Sequence, residues 1–241
     1  LRIFNQKSIP EEDYNQNYKF CARQTKFDYD YTKWYSKTWF EYAKLNAASF
    51  ELPKYNKKKL ESIASHLYDY TTKENGVSEL IDDLNSCGVG FFVLSHLQKT
   101  YLDGAAFICN KNPFVVYTCR YDRIDNFWFV VAHEIAHILN HYDFLNEPFL
   151  DNLDEKAENE REKQADSCAG RYLNQDIVIE VGKQYGKYLN ASRLNLISEQ
   201  SQVSVPVALG MLQHFGLLDW RQFAKYKEHV KELIPNEFVR G

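Results

Sequence analysis

Helical spacing of apolar and polar positions opens the chain, gives way to short β-forming runs, and then returns until the end. In residues 1–75, Trp34, Lys37 and Glu41 fall three and four apart, and so do Leu60, Ile63, Ala64 and Leu67. That spacing places side chains on one face of an α-helix. FELPKYNKKKL interrupts this helical region with a proline and a basic run, and Glu74-Asn75-Gly76 breaks it. VSELIDDLNSC then predicts an amphipathic helix, stopped by Gly88 just past its last turn. Three strands are expected next, VGFFVLS (89–95), GAAFIC (104–109) and FVVYTC (114–119), with NKNP as a tight hairpin between the last two. From Arg123 onward the pattern predicts helices over 124–142, 154–173, 175–189, 191–202, 206–215 and 219–233. Strands followed by a run of helices imply an α+β fold, a small sheet of about three strands on a mostly helical body. The expected division is a helical N-terminal extension, 1–75, and a larger domain, 76–241.

Composition changes this picture little. The 241 residues are 44% hydrophobic, enough to bury a core, and the net charge of -4 gives no pull toward nucleic acid or an anionic membrane. Cys21, Cys87, Cys109, Cys119 and Cys168 form no CxxC pair, so they read as core thiols in a reducing compartment. No apolar run approaches the roughly 20 residues that span a bilayer. The opening LRIFNQKSIPEEDY has no apolar stretch to act as a signal peptide and no initiator Met, so a cytoplasmic piece of a longer chain is expected.

The chemistry concentrates in FWFVVAHEIAHILNHY. His133 and His137, four apart on a helix, lie about 40° from each other and can reach one metal ion. Glu134 sits about 100° round, placed to take a proton from an attacking water. Almost every other position of this helix is apolar, so it should be buried, and buried imidazoles and carboxylates need partners. Zn²⁺ suits two neutral imidazoles and a carboxylate.

A third ligand must come from elsewhere. His141 lies about 12 Å along the helix from His133, too far for a ligand about 2 Å from the ion, and is expected at the rim or in solvent. On the next helix Glu162, Ala165, Asp166, Ala169 and Leu173 fall on one face. Glu162 is the expected ligand and Asp166 the acceptor for the outer nitrogen of a ligand histidine. Glu158 on the same face is the rival, and a capping or ion-pair role for these acids is the alternative. His141, Tyr142, Arg171 and Tyr172 are candidates for stabilising an oxyanion or lining the rim. The strand FVVYTC, if it forms a sheet edge, could hold an extended peptide across the metal.

Two weaker patterns read as structure. LISEQSQVSVPVALGMLQHF has a helix-turn-helix rhythm, yet its second helix lacks Lys and Arg, so core packing is expected. Lys57-Lys58-Lys59 reads as a solvated run.

HEIAHILNH followed by EKQADSCAGRYL resembles the HExxH…ExxAD pattern of zincins. YLDGAAFICNKNPFVVYTCRYDRIDNFWFVVAHEIAHILNH resembles the ImmA/IrrE family of metallopeptidase-like domains more closely, and PVALGMLQHFGLLDW is similar to that family's C-terminal end. The likeness covers about residues 76–225. It implies a zincin-like fold, His133, His137 and Glu162 as ligands of Zn²⁺, Glu134 as general base, Asp166 behind a ligand, and a protein or peptide substrate. Longer relatives carry a helix-turn-helix domain and act as regulators or HigA-type antitoxins, which points to a repressor or toxin as partner. No such domain is recognisable in this sequence, so DNA binding by the chain itself is not expected. The functions the sequence leaves standing are a zinc metallopeptidase, a regulator or antitoxin whose metallopeptidase-like fold binds or senses a partner or DNA without hydrolysis, and a metal-free sensor domain.

Overall fold

The computed structural model describes residues 29–97, 102–146 and 155–240. The first 28 residues of the expected N-terminal helical region lie outside them. The helices are α1 (Tyr29–Ala47), α2 (Lys57–Ser65), α3 (Leu67–Thr71), α4 (Gly76–Ser86), α5 (Ile124–Asn140), α6 (Glu155–Tyr172), α7 (Gln175–Tyr185), α8 (Ala191–Ser201) and α9 (Val205–His214). The strands are β1 (Gly90–Leu94), β2 (Gly104–Cys109), β3 (Asn112–Tyr117) and β4 (Val239–Arg240). The fold is α+β, with a small mixed sheet in the order β2-β3-β1-β4.

The strands form where β-branched and aromatic residues cluster, and their pairing follows from the turns. β2 and β3 are antiparallel, joined through Asn110 and Lys111, both in the left-handed region at φ 50° and 71°. Two such residues make the turn that matches the twist of a two-residue hairpin. Pro113 pairs with Ile108. β1 runs parallel to both β3 and β4. Its run GFFVL is buried throughout, as parallel strands covered on both faces are.

The sheet separates two apolar layers. Phe92, Leu94, Ala105, Phe107, Phe114 and Val116 face α1, which lays down Trp39, Phe40, Ala43 and Ala47. Phe91, Val93, Ala106, Val115 and Tyr117 face the larger core, shared by α2 to α5 and the C-terminal helices. Alternation along each strand thus assigns one residue set to each layer.

Three expectations are corrected. The sheet has a fourth strand, since Val239 and Arg240 pair with Val93 and Leu94; two residues are too short a run to show a period. FVVYTC is not an edge, because β3 lies between β2 and β1; among the described residues the edges of the sheet are β2 and β4. The helix expected over 219–233 is replaced by turns, with 3-10 segments at Ala224–Tyr226 and Lys231–Leu233. There the Asp122 carboxylate accepts from the Val230 and Lys231 amides at 2.9 and 3.0 Å, and the Glu228 carbonyl accepts from the Ile124 amide at 3.0 Å. Long-range partners take the backbone groups that a helix would have used. α9, with its helix-turn-helix rhythm, is buried through Pro206, Val207, Ala208, Leu209, Met211 and Leu212. Among the described residues no helix is long and apolar enough to cross a membrane.

Candidate metal centre

α5 is the central helix of the larger core. From Ile124 to Asn140 it contains no glycine or proline, and Phe127, Trp128, Val130, Val131, Ala132, Ile135, Ile138 and Leu139 are all buried. A helix wrapped in apolar contacts on all sides holds its few polar side chains in fixed places. Those on the 133–137–141 stripe turn toward α6. Ala136, Ala165 and Cys168 form the contact between the two helices. Such small side chains let the helices approach, and that brings Glu162 to the histidines.

Three side chains converge. The Nε2 atoms of His133 and His137 lie 3.0 Å apart. Glu162 Oε2 lies 3.2 Å from His133 Nε2, and its Oε1 lies 3.2 Å from His137 Nε2. Ligands at about 2.0–2.1 Å around a tetrahedral ion sit roughly 3.3 Å from one another. The triangle therefore fits a metal ion, and His133, His137 and Glu162 form a possible metal-binding triad.

The charges in the triangle are strongly coupled. Burial disfavours a charged His133, yet hydrogen bonds to Asp166 and Glu162 outweigh it and hold the imidazole up at about 10. Burial keeps His137 below its ordinary value. Burial would raise the Glu162 carboxyl, but the two histidines hold it well below the usual carboxylate range.

Glu134 sits beside the triangle and is 1% exposed. Burial pushes its carboxyl up to about 8, against the pull of His133 and of a hydrogen bond from the Ala106 backbone. Its Oε2 is buried without any hydrogen-bond partner. An unpartnered buried carboxylate oxygen is costly, and a reacting group or water is what such an atom can serve. Ala106 belongs to the edge strand β2, so the carboxylate is tied to the rim of the sheet. Gly104 makes this approach possible. A Cβ there would come within 2.5 Å of Val130 Cγ1 and 3.2 Å of Glu134 Oε1.

Asp166 Oδ1 accepts from His133 Nδ1 at 2.9 Å, on the nitrogen facing away from the triangle. The expectation for His141 is corrected. It is neither solvated nor at a rim but 5% exposed, with Nδ1 3.0 Å from His137 Nδ1 and Nε2 3.0 Å from Gln164 Oε1. It touches the triad from behind. Tyr142 stacks on Tyr55 at 5.3 Å, and its hydroxyl reaches the Lys111 carbonyl at 3.4 Å. Arg171 donates to Cys168 Sγ at 2.9 Å. Tyr172 packs against the Ala136, Ala165 and Cys168 contact. The side chain of Glu158 lies outside the described residues.

Gln164, Gly104 and the Ala106 amide were not singled out by sequence reasoning. A glycine opening a strand is a signal of close backbone approach, and it was available for Gly104. The Ala106 amide carries no side-chain signal. Asp103, which pairs with Arg120 at 3.3 Å, also acts on Glu134 electrostatically.

A comparison with models of protein families found no match for this chain. A comparison with curated proteins found none either.

Proposed function

We propose that the chain is a zinc-dependent metallopeptidase that hydrolyses a peptide bond in a regulatory protein such as a repressor or toxin. The observation that carries this reading is Glu134, a fully buried carboxylate with one free oxygen beside a His-His-Glu triangle. A structural metal site has no need of it, because a closed site uses its fourth position for another ligand, whereas a catalytic site keeps that position open. The donor set of two imidazoles and a carboxylate suits zinc, as does the close approach of the three side chains. The resemblance to ImmA/IrrE domains and to a zincin-like fold agrees with it.

Zinc at this site supplies Lewis acidity toward the scissile carbonyl and makes an attacking water more acidic. His133, His137 and Glu162 hold the ion. Glu134 accepts a proton from the attacking water at its free Oε2, and then delivers it to the leaving amine nitrogen. Ala106 orients this carboxylate through its amide. Strand β2, an edge of the sheet among the described residues, has backbone groups besides the Ala106 amide to which an extended peptide could pair, which would lay the substrate beside Glu134.

The test is Glu134→Gln. The variant is expected to keep fold, zinc and partner binding and to lose cleavage. Wild type and variant are incubated with candidate repressors and toxins, and products are read by mass spectrometry. Fragments from wild type alone support the peptidase. A partner that both proteins bind and neither cuts would replace it with a partner-binding regulator.

A further inference from the structure

We propose that a cavity at the N-terminal end of α5 binds a small zwitterion with an apolar side chain, an α-amino acid or a dipeptide. The inference does not depend on the metal centre.

The cavity, of about 510 Å³, opens where the turn after α3 meets the first turns of α4, α5 and α9. Sites for small molecules fall in this size range. Trp128 lines it and stands five residues before His133 on α5, so the two side chains leave the helix about 140° apart. The cavity is therefore separate from the metal triangle.

Seven buried side-chain N or O atoms among the described residues lack a hydrogen-bond partner. Two of them, Trp128 Nε1 and Ser204 Oγ, belong to residues that line this cavity. Trp128 is 1% exposed, and its indole N–H can only donate. A buried donor left unpaired is costly, and an acceptor held in the cavity would satisfy it. Ser204 is the N-cap of α9, where a serine oxygen ordinarily accepts from the second or third amide of the helix. Here the side chain makes no such bond, and the second helical position is Pro206, which has no amide. The Ser204 backbone is nevertheless fixed, because its own amide donates to Thr71 Oγ1 at 3.0 Å. The hydroxyl is thus held in place without a protein partner, at the positive end of a helix of 10 residues.

The rest of the lining says what the occupant carries. Val77, Ile124, Pro206 and the Trp128 ring form a buried apolar wall. Glu74 and Glu228 also line the cavity and are exposed, so negative charge stands on its open side. The Lys73 ammonium beside them is already paired with Glu79 at 2.7 Å. A carboxylate over the buried donors, an ammonium toward the glutamates and a hydrocarbon side chain on the wall answer all three features. A simple anion leaves the glutamates unanswered, and a simple amine leaves the indole and the hydroxyl without an acceptor.

The test is calorimetric titration of the full chain with leucine, leucyl-leucine, N-acetyl-leucine, leucinamide and sodium acetate, with and without a zinc chelator. Leucine or leucyl-leucine is expected to bind saturably, and the tighter of the two tells whether one residue or two fill the cavity. N-acetyl-leucine, leucinamide and acetate each lack one of the three groups and should bind at least about 10-fold more weakly. Ser204→Ala and Trp128→Phe should each weaken binding about 10-fold, the loss of one hydrogen bond to a charged group. The ligand-free Ser204→Ala chain should melt with the wild type, because its hydroxyl has no partner to lose. Absence of saturable binding by both leucine and leucyl-leucine would overturn the proposal. So would a truncated compound that binds as tightly as leucine, or unchanged affinity in Ser204→Ala. Binding that disappears with the chelator would move the ligand to the metal triangle and overturn it as well.

Discussion

α5 and α6 build the site together, but they hold it by opposite means. α5 is buried on all sides, and its polar residues His133, Glu134 and His137 are fixed by the core around them. α6 carries many charged residues and meets α5 through the small side chains Ala165 and Cys168 and the polar contacts of Glu162, Gln164 and Asp166. One helix gives precision through packing, the other through small side chains that permit close approach. A ligand on α5 is therefore set inside the core, whereas the ligand on α6 is placed by the packing of that helix against α5.

The largest effect should follow from cutting into the α5 side. Phe127 is fully buried among Phe91, Tyr117 and Trp128. Phe127→Ala is expected to cost about 3–5 kcal/mol, read by denaturant unfolding. Lys163→Ala, on the exposed side of α6, should stay within about 0.5 kcal/mol. Equal costs at the two positions would break the contrast.

The contact between the two helices comes next. Ala165→Leu overfills the contact between α5 and α6, at an expected cost of about 1–3 kcal/mol. Because it pushes Glu162 away from the histidines, zinc affinity should fall by more than the loss of stability alone explains. Chelator competition beside a thermal melt separates the two.

Asp166→Asn tests the support behind His133. An amide can turn either its oxygen or its NH₂ toward Nδ1, so the tautomer is no longer enforced. Zinc affinity should fall about 10- to 100-fold, and Glu162→Gln should cost more. The reverse order would exchange the roles of the two carboxylates.

These contrasts also explain what could be read from the sequence. His133, Glu134 and His137 were legible because their spacing stands out inside an apolar helix. Glu162 and Asp166 were legible only as members of a face, since α6 carries many other carboxylates and periodicity cannot say which one reaches the metal. His141 was misplaced because its distance from the ion was treated as distance from the site. Its true partner is the back of His137, one helical turn away. The hairpin at Asn110 and Lys111 followed from local turn chemistry, whereas β4 and the loss of the 219–233 helix depend on Val93, Leu94 and Asp122, far away in sequence. Interactions of that kind leave no local pattern.

The smallest effect concerns pH. His133 in the metal-free protein is held up to about 10 by Asp166 and Glu162 against burial, so zinc must displace its proton. Affinity should rise with pH up to about 10, and calorimetry in buffers of different ionisation enthalpy should find about one proton released per zinc. The same shift has the opposite sign for stability. A raised folded-state value stabilises the metal-free protein fully below the ordinary histidine value near 6.5, and this contribution is lost as pH rises through about 10. The melting temperature of the metal-free chain should therefore fall across that window, and that of the zinc-loaded chain should fall less.

The most direct test of the central claim is elemental analysis of the purified chain beside His137→Ala. The account predicts about one zinc per wild-type chain and none in the variant. A wild-type chain free of metal, or a variant that retains it, would contradict the assignment of His133, His137 and Glu162 as a zinc site.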